Sequence, residues 1–389
     1  MDRTSYDVIV IGLGAMGSAG VFHLAAAGRR VLGLDRFQPP HAFGSSHGRS
    51  RIIREAYFEH PAYVPLVCRA YELWAELEKN SQRQLFVQTG GLMIGPPDGV
   101  LVTGARASAE EHNLPHELLS SEKIRARFPA FQPGPEMVAV WEPRAGILLP
   151  ELIIQSHLEL AAKQGATLRL NEPVLAWEAT RTGVSVSTST GFYKAARLLI
   201  AAGAWTSSLL PDLRLPLTIE RQVLFWFEPQ HSSQPYSNLF HPKTCPIQIW
   251  EYSQRRFFYA FPDLGDGIKA AIHHQGEPSS PDTLRRDVAP DEIETMRSLL
   301  NRFLPTAAGS LNSTAVCMYT NTPDEHFLID FHPRYHQVVI ASPCSGHGFK
   351  FSSVVGELAA QMLTEQQQKL DLTLFRISRF LENDHARPV

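Results

Sequence analysis

Tyr6 to Ile11 becomes a continuous apolar, β-branched run from Val8 on, after Asp7, the pattern of a parallel strand buried on both faces. Gly12-Leu13-Gly14-Ala15-Met16-Gly17 follows, then helix-forming residues from Ala19 to Ala27, closed by Gly28 as a C-terminal cap. Arg30 to Leu34 predicts the next strand, with Asp35 at its end. Pro150 to Gly165 predicts a helix whose buried stripe is Leu152, Ile153, His157, Leu158 and Leu160 to Ala162. Val174 to Ser187 alternates as antiparallel strands do, and Tyr193 to Gly203 predicts a return to the sheet begun at Tyr6. From Arg221 to His274 aromatic and β-branched residues alternate with polar ones, which predicts a β-rich region. A long amphipathic helix is expected over Pro290 to Phe303. Gln337 to Ala341 is a last apolar strand, followed by a glycine-bearing turn and a helix from about Lys350 to Leu363.

Composition narrows this picture only a little. At 389 residues the chain exceeds one ordinary domain, and 44% hydrophobic with 19% charged residues describes a globular protein. A net charge of −3 without a basic patch argues against a nucleic-acid binder. The four cysteines, Cys68, Cys245, Cys317 and Cys344, have neither the density of a disulfide scaffold nor zinc-ligand spacing. No metal site is expected. Met1 leads directly into the first strand, no apolar stretch is long enough to span a bilayer, and His385 to Val389 carries no targeting address. A cytoplasmic location without membrane partners is the expectation.

The first chemistry-bearing segment is the glycine turn. Gly12 allows a tight turn, Gly14 lets the backbone approach a pyrophosphate, and Gly17 permits close helix–strand packing. The helix start presents free N–H groups and a positive dipole end to phosphate oxygens. Asp35, at the end of the second strand, is placed to accept hydrogen bonds from a ribose hydroxyl. An acid there disfavours NADP, but these residues do not choose between NAD and FAD.

Three later segments bear on that choice. In Gly44-Ser45-Ser46-His47-Gly48-Arg49-Ser50-Arg51-Ile52-Ile53-Arg54, an extended backbone sends Arg51 and Arg54 to opposite faces. A flat cofactor could then meet them, although a solvated basic segment would read the same way. Ser345-Gly346-His347-Gly348-Phe349-Lys350 lies between a strand and a helix, where N–H groups stabilise negative charge. It suits the pyrimidine end of a reduced flavin; the alternative is a plain strand-to-helix turn. Cys317-Met318-Tyr319-Thr320-Asn321-Thr322-Pro323-Asp324 is the most individual stretch, yet a cysteine beside Met and Tyr is by base rate a packing residue.

Together these segments resemble the monomeric sarcosine oxidase family, which includes N-methyltryptophan and pipecolate oxidases. The resemblance spans essentially the whole chain. It rests on Gly12 to Gly17, SSHGRSRIIR at Ser45 to Arg54, CMYTNTPDEHFLID at Cys317 to Asp330, and SGHGFKF at Ser345 to Phe351. It implies an α/β (mixed α+β) protein of two interleaved domains. A Rossmann-like FAD-binding domain would occupy 1–85, 148–218 and 318–380, and a β-sheet-rich substrate domain 86–147 and 219–317.

The resemblance also implies FAD joined through its 8α carbon to Cys317, and hydride transfer from a secondary amino acid, giving an imine and then hydrogen peroxide from dioxygen. Arg54 and Lys350 match the pair that holds the substrate carboxylate. His47, Ser50 and Arg51 match positions lining the flavin, with Ser45, Gly346 and Gly348 beside them, although the family often has Thr where Ser50 stands. Lys269 matches the lysine that favours oxygen reduction, and Tyr259 and His273 match substrate-side residues. A regular strand points Lys269 and His273 to one face, whereas the family separates their roles, so either a bulge or strong twist lies between them or one of the two assignments is wrong. Arg49 and Pro343-Cys344 depart from the bacterial sarcosine oxidase pattern and bear on substrate identity. Rival expectations are an N-methyltryptophan or pipecolate oxidase, a flavin dehydrogenase with a protein acceptor, and a non-catalytic flavin-binding subunit. The family precedent is a monomer.

Overall fold

A computed structural model describes residues 5–230, 239–342 and 345–381, which form a mixed α/β protein of two large sheets and a small one. Pro343-Cys344 and the segment His385 to Val389 lie outside the described residues.

Ser5–Ile11 pairs in parallel with Val31–Leu34 on one side and Phe192–Ile200 on the other. Tyr335–Ser342 and Thr167–Arg169 extend this parallel core at either edge. Val174–Thr180, Gly183–Thr188 and Leu328–His332 add antiparallel strands. From Val8 to Ile11 the strand is continuously apolar because both faces are covered. Val8 and Val10 enter the core under the helices, while Ile9 and Ile11 enter the core on the opposite face. Each such side chain contributes roughly 1.5–3 kcal/mol by leaving water.

The helix after the glycine turn runs Ala15–Ala26, starting four residues earlier than its composition suggested. Gly17 and Ser18 are weak helix formers in isolation, but both are buried, and packing overrides propensity. This helix lies against Pro150–Lys163 and Ser352–Leu363. In Pro150–Lys163 the expected stripe needs correction: Leu152 is 39% exposed, and Ala162 also faces solvent. The buried face is Ile153, Ile154, His157, Leu158 and Ala161, the set that keeps a 3.6-residue period. The helix expected from about Lys350 begins at Ser352, after a 3₁₀ turn over Phe349–Phe351.

The second sheet is built around Thr218–Phe227, which pairs along its length with Leu311–Asn321. Ile268–His273, Arg256–Ala260 and Ile247–Ser253 continue it. Its two faces do different work. Phe225, Phe227, Ile268 and Ala270 pack outward, with Met296, Leu300 and Phe303 of the helix Pro290–Phe303 in the same core. The alternate residues Leu224, Trp226, Ala271 and Cys317 form a separate inner cluster.

Lys269 and His273 share that inner face. Their strand pairs without a register shift, so the bulge expected between them is not there. They are separated along the strand, by about 13 Å at a normal rise per residue, rather than across it. Arg51–Ile53 belongs to the small sheet, paired with Gly146–Leu148, which also pairs with Phe86–Gln88.

Candidate active site

A cavity of about 540 Å³ runs from the glycine turn to the inner face of the second sheet, within the ordinary range for ligand pockets. At one end are Gly12, Gly14 and Asp35; at the other are Arg54, Tyr259, His273 and Lys350. Ser45, Ser50, Arg51, Cys317, Gly346 and Gly348 line the path between them. The structure thus gathers sites that the sequence separates by hundreds of residues. Gly17, His47 and Lys269 stand behind this lining rather than in it.

The three glycines have separable jobs. Gly12 has φ +88°, and a Cβ on it would sit 2.5 Å from the Ala201 carbonyl oxygen. A Cβ on Gly17 would collide with the Gly12 carbonyl oxygen at 1.7 Å. Both are demanded by the fold. A Cβ on Gly14 would meet only Ser46 Oγ, at 3.7 Å, so packing does not require glycine there. The N-cap, Gly14, offers no side-chain cap of its own, and the Ala15 N–H reaches Ser46 Oγ at 3.4 Å, beside the cavity that Gly14, Ala15 and Ser46 all line. Asp35 accepts the Leu13 N–H at 2.7 Å on Oδ2 and the Phe37 N–H at 2.8 Å on Oδ1. Each oxygen keeps a second lone pair for a ribose hydroxyl. This cradle fits a dinucleotide.

The other end is a group of cations held by carbonyl oxygens. Arg51 donates to the carbonyls of Ser50 and Ser45 at 2.8 Å each and comes within 3.8 Å of Cys317 Sγ. Lys269 Nζ donates to Gly48 O at 2.6 Å, Ser50 O at 2.8 Å and Ser50 Oγ at 3.1 Å. Burial, reinforced by Arg51, pulls its pKa well below the lysine range. Lys350 Nζ donates to His347 O at 2.9 Å, and burial with Arg54 lowers it to about 7.

Arg54 is 1% exposed. Its Nη2 grips both oxygens of Glu59, at 2.6 and 2.9 Å, its Nη1 donates to Ala56 O at 2.7 Å, and its Nε has no partner. Burial opposes ionisation of Glu59, yet Arg54 and then Lys350 hold its carboxyl below the ordinary range.

The nearby histidines are neutral. Burial lowers His347 to about 3; its Nδ1 meets Tyr57 OH at 2.5 Å and its Nε2 meets Glu325 O at 3.0 Å. Because a carbonyl can only accept, Nε2 carries the proton. His273 is lowered by burial and by His274, and its Nδ1 lies 3.2 Å from Tyr319 OH. His47 is lowered to about 3 by burial and then Arg51, and its Nε2 is buried without a partner.

Several functional neighbours escaped sequence reasoning. Tyr319 sits two residues from Cys317 on one strand, so period-two spacing alone would put both on the same face. Glu59 could have been sought as a partner for Arg54. Glu151, whose Oε1 accepts the N–H groups of Gly48 and Arg49 at 2.8 and 3.0 Å, had no local signal at a separation of more than 100 residues.

A dinucleotide cradle joined to a cation-lined far end suits an enzyme that uses a bound nucleotide cofactor. Residues 7–362 match the family described as FAD dependent oxidoreductase. A monomeric sarcosine oxidase from Streptomyces avermitilis is 47% identical, covering 92% of this chain and 93% of that protein. One from Bacillus sp. strain NS-129 is 41% identical, covering 97% of each. An N-methyl-L-tryptophan oxidase from Yersinia pestis is 36% identical, covering 96% of this chain and 99% of its own. Among solved structures, the L-proline dehydrogenase of P. horikoshii superposes with a TM-score of 0.84 over 97% of this chain and 98% of that one, at 22% identity, a likeness of fold. The chain belongs to the FAD-dependent oxidoreductases and, within them, to the monomeric sarcosine oxidase family.

The glycine geometry has a direct test. Gly17→Ala should lower the thermal midpoint even of flavin-free protein, by an overpacking cost of about 1–3 kcal/mol or more. Gly14→Ala should leave that midpoint unchanged while reducing the flavin incorporated, read from the absorbance ratio of visible to ultraviolet bands.

Proposed function

We propose that the protein oxidises the C–N bond of sarcosine or another small N-methyl or cyclic secondary amino acid, with dioxygen as electron acceptor. The observation that carries this reading is Arg54, a fully buried guanidinium with an orphaned Nε, facing the same end of the cavity as Lys350. A carboxylate oxygen would satisfy that donor, and charge-assisted bonds to Arg are among the strongest available. The substrate must compete with Glu59 for the same guanidinium, which favours a compact anion. Relatives named for sarcosine and for N-methyl-L-tryptophan support a secondary amino acid. The sheet-rich region then serves as substrate domain to the nucleotide-binding one.

When bound, FAD accepts the hydride equivalent and passes two electrons to dioxygen, giving hydrogen peroxide. Gly12 to Gly17 and Asp35 would hold its pyrophosphate and ribose, and Ser45, Ser50 and Arg51 would flank its ring. Gly346, Gly348 and Lys350 would meet its pyrimidine end. Cys317 would tether the 8α carbon: one C–S bond replaces an S–H and a C–H bond, with two electrons and two protons leaving to dioxygen. Support comes from its place in the cavity lining beside Arg51.

Tyr259, Tyr319 and neutral His273 present polar atoms without charge to the substrate amine. Three oxygens around Lys269 Nζ favour its ammonium form against the burial that lowers its pKa, and that ammonium supplies positive charge for the developing superoxide. Its three donors are already engaged, so the effect is electrostatic rather than a proton donation.

The test is a panel of secondary amino acids in air. Peroxide formed in proportion to oxygen consumed is expected with at least one small member, and none with any member would overturn the reading. Cys317→Ser should leave flavin that denaturant extracts; flavin still attached after denaturation would rule out the tether. Lys269→Met should slow reoxidation by roughly 10²–10³-fold while sparing anaerobic reduction, as stopped-flow traces would show.

A further inference from the structure

Behind Arg54 lies a carboxylate that the reaction does not use. Glu142 ends the strand Val138–Glu142 and is 1% exposed. Its Oε1 accepts the Glu55 N–H at 2.7 Å, and its Oε2 accepts the Ala56 N–H at 2.8 Å. The carbonyl of Ala56 in turn accepts Arg54 Nη1 at 2.7 Å. The clamp and the guanidinium therefore act on one residue from opposite sides. No hydrogen-bonded cation neutralises Glu142 among the described residues; two backbone N–H groups carry it. We propose that Glu142 is a positioning residue for substrate binding, which fixes the Arg54 guanidinium through the Glu55–Ala56 backbone. This rests on Arg54 being the receptor for the substrate carboxylate.

An ionised carboxylate is the group that can accept both N–H bonds, since a protonated one offers an O–H where an acceptor is needed. The groups facing it set when that happens. Glu55, ion-paired to Arg144 at 2.9 Å, opposes ionisation, while Arg54 favours it. Tyr71 and Cys68 approach from the helix Val64–Ser81, and burial lifts both above their ordinary values. Burial raises Glu142 itself to about 7, with Glu55 adding to the rise against the two N–H bonds. The carboxyl therefore takes up a proton as pH falls through that value, and the clamp loses one of its bonds. Lys350 has the opposite sense: with a pKa lowered to about 7, it loses its charge as pH rises. Carboxylate affinity should pass through a maximum, with an acid limb from Glu142 and an alkaline limb from Lys350.

The measurement is acetate binding to the oxidised holoenzyme, followed by perturbation of flavin absorbance. Acetate stays ionised down to about pH 5.5, so its own titration does not intrude. In the unaltered enzyme the dissociation constant should rise about tenfold on the acid side, the loss of one charge-assisted hydrogen bond. Glu142→Gln should bind acetate about tenfold more weakly near neutrality and lose the acid limb, keeping the alkaline one. Glu55→Gln should retain both limbs.

An acid limb that survives in Glu142→Gln, or disappears in Glu55→Gln instead, overturns the proposal. Should Glu142→Gln fail to fold with flavin, a flat profile below neutrality in the unaltered enzyme overturns it equally. Arg54→Lys separates the two levels of the argument. Acetate binding unchanged by Arg54→Lys would remove the carboxylate assignment and the clamp with it. Binding weakened there but unaltered in Glu142→Gln removes the clamp alone.

Discussion

The burial of positive charge around one cavity is the constraint on which the rest of the structure depends. Arg54, Lys269 and Lys350 are 1%, 2% and 5% exposed, and Arg51 lies between them. Taking an ion out of water costs several kcal/mol unless something replaces its hydration. Here the replacement is chiefly backbone oxygen: the carbonyls of Ser45, Gly48, Ser50, Ala56 and His347 all point at these cations. Glu59 is the carboxylate within hydrogen-bond reach of Arg54. Burial strips the neighbouring histidines of their protons and so adds no further positive charge. The site is thus poised for anions, and both an amino-acid carboxylate and an electron-rich flavin answer that need.

The architecture follows from having to aim those carbonyls. The segment Gly48 to Ala56 does most of it, and it is held from outside at two places. Glu151, at the start of a helix under the first sheet, takes the N–H groups of Gly48 and Arg49. Glu142, at the end of a strand in the second sheet, takes those of Glu55 and Ala56. Two buried or half-buried carboxylates, one from a helix under the first sheet and one from a strand of the second, thereby set a single segment that neither large sheet contains. The second sheet then places Lys269, His273, Cys317 and Tyr319 on its inner face, while alternate residues fill the aromatic core behind. Period-two alternation is what allows one strand to be both core and active site.

Much of this was legible locally. The first strand, its glycine turn and Asp35 announce themselves because their signals are contiguous: an apolar run, a spacing, an acid at a strand end. The helix Pro290–Phe303 was readable to the residue, since a capping carboxylate and a proline mark its start and a clean apolar stripe its length. Pro150–Lys163 was less so. Leu152 looked like core by residue type, but only the neighbouring helices decide which arc of the cylinder is covered, and Leu152 lies outside it. The bulge expected between Lys269 and His273 is absent for a related reason: pairing with the strands on both sides keeps the register regular.

The chain by itself determined the elements, the nucleotide turn and, through its resemblance to a known family, which side chains to look for. It did not contain the partnerships that make those side chains work. Glu142 for the peptide behind Arg54, and three oxygens around Lys269, are contacts across as many as 221 residues of sequence. Short-range patterns are written by backbone geometry and recur wherever that geometry does. The solvation of a buried charge is decided by whichever group the fold brings within hydrogen-bond distance, and that is settled only when the sheets close around the cavity.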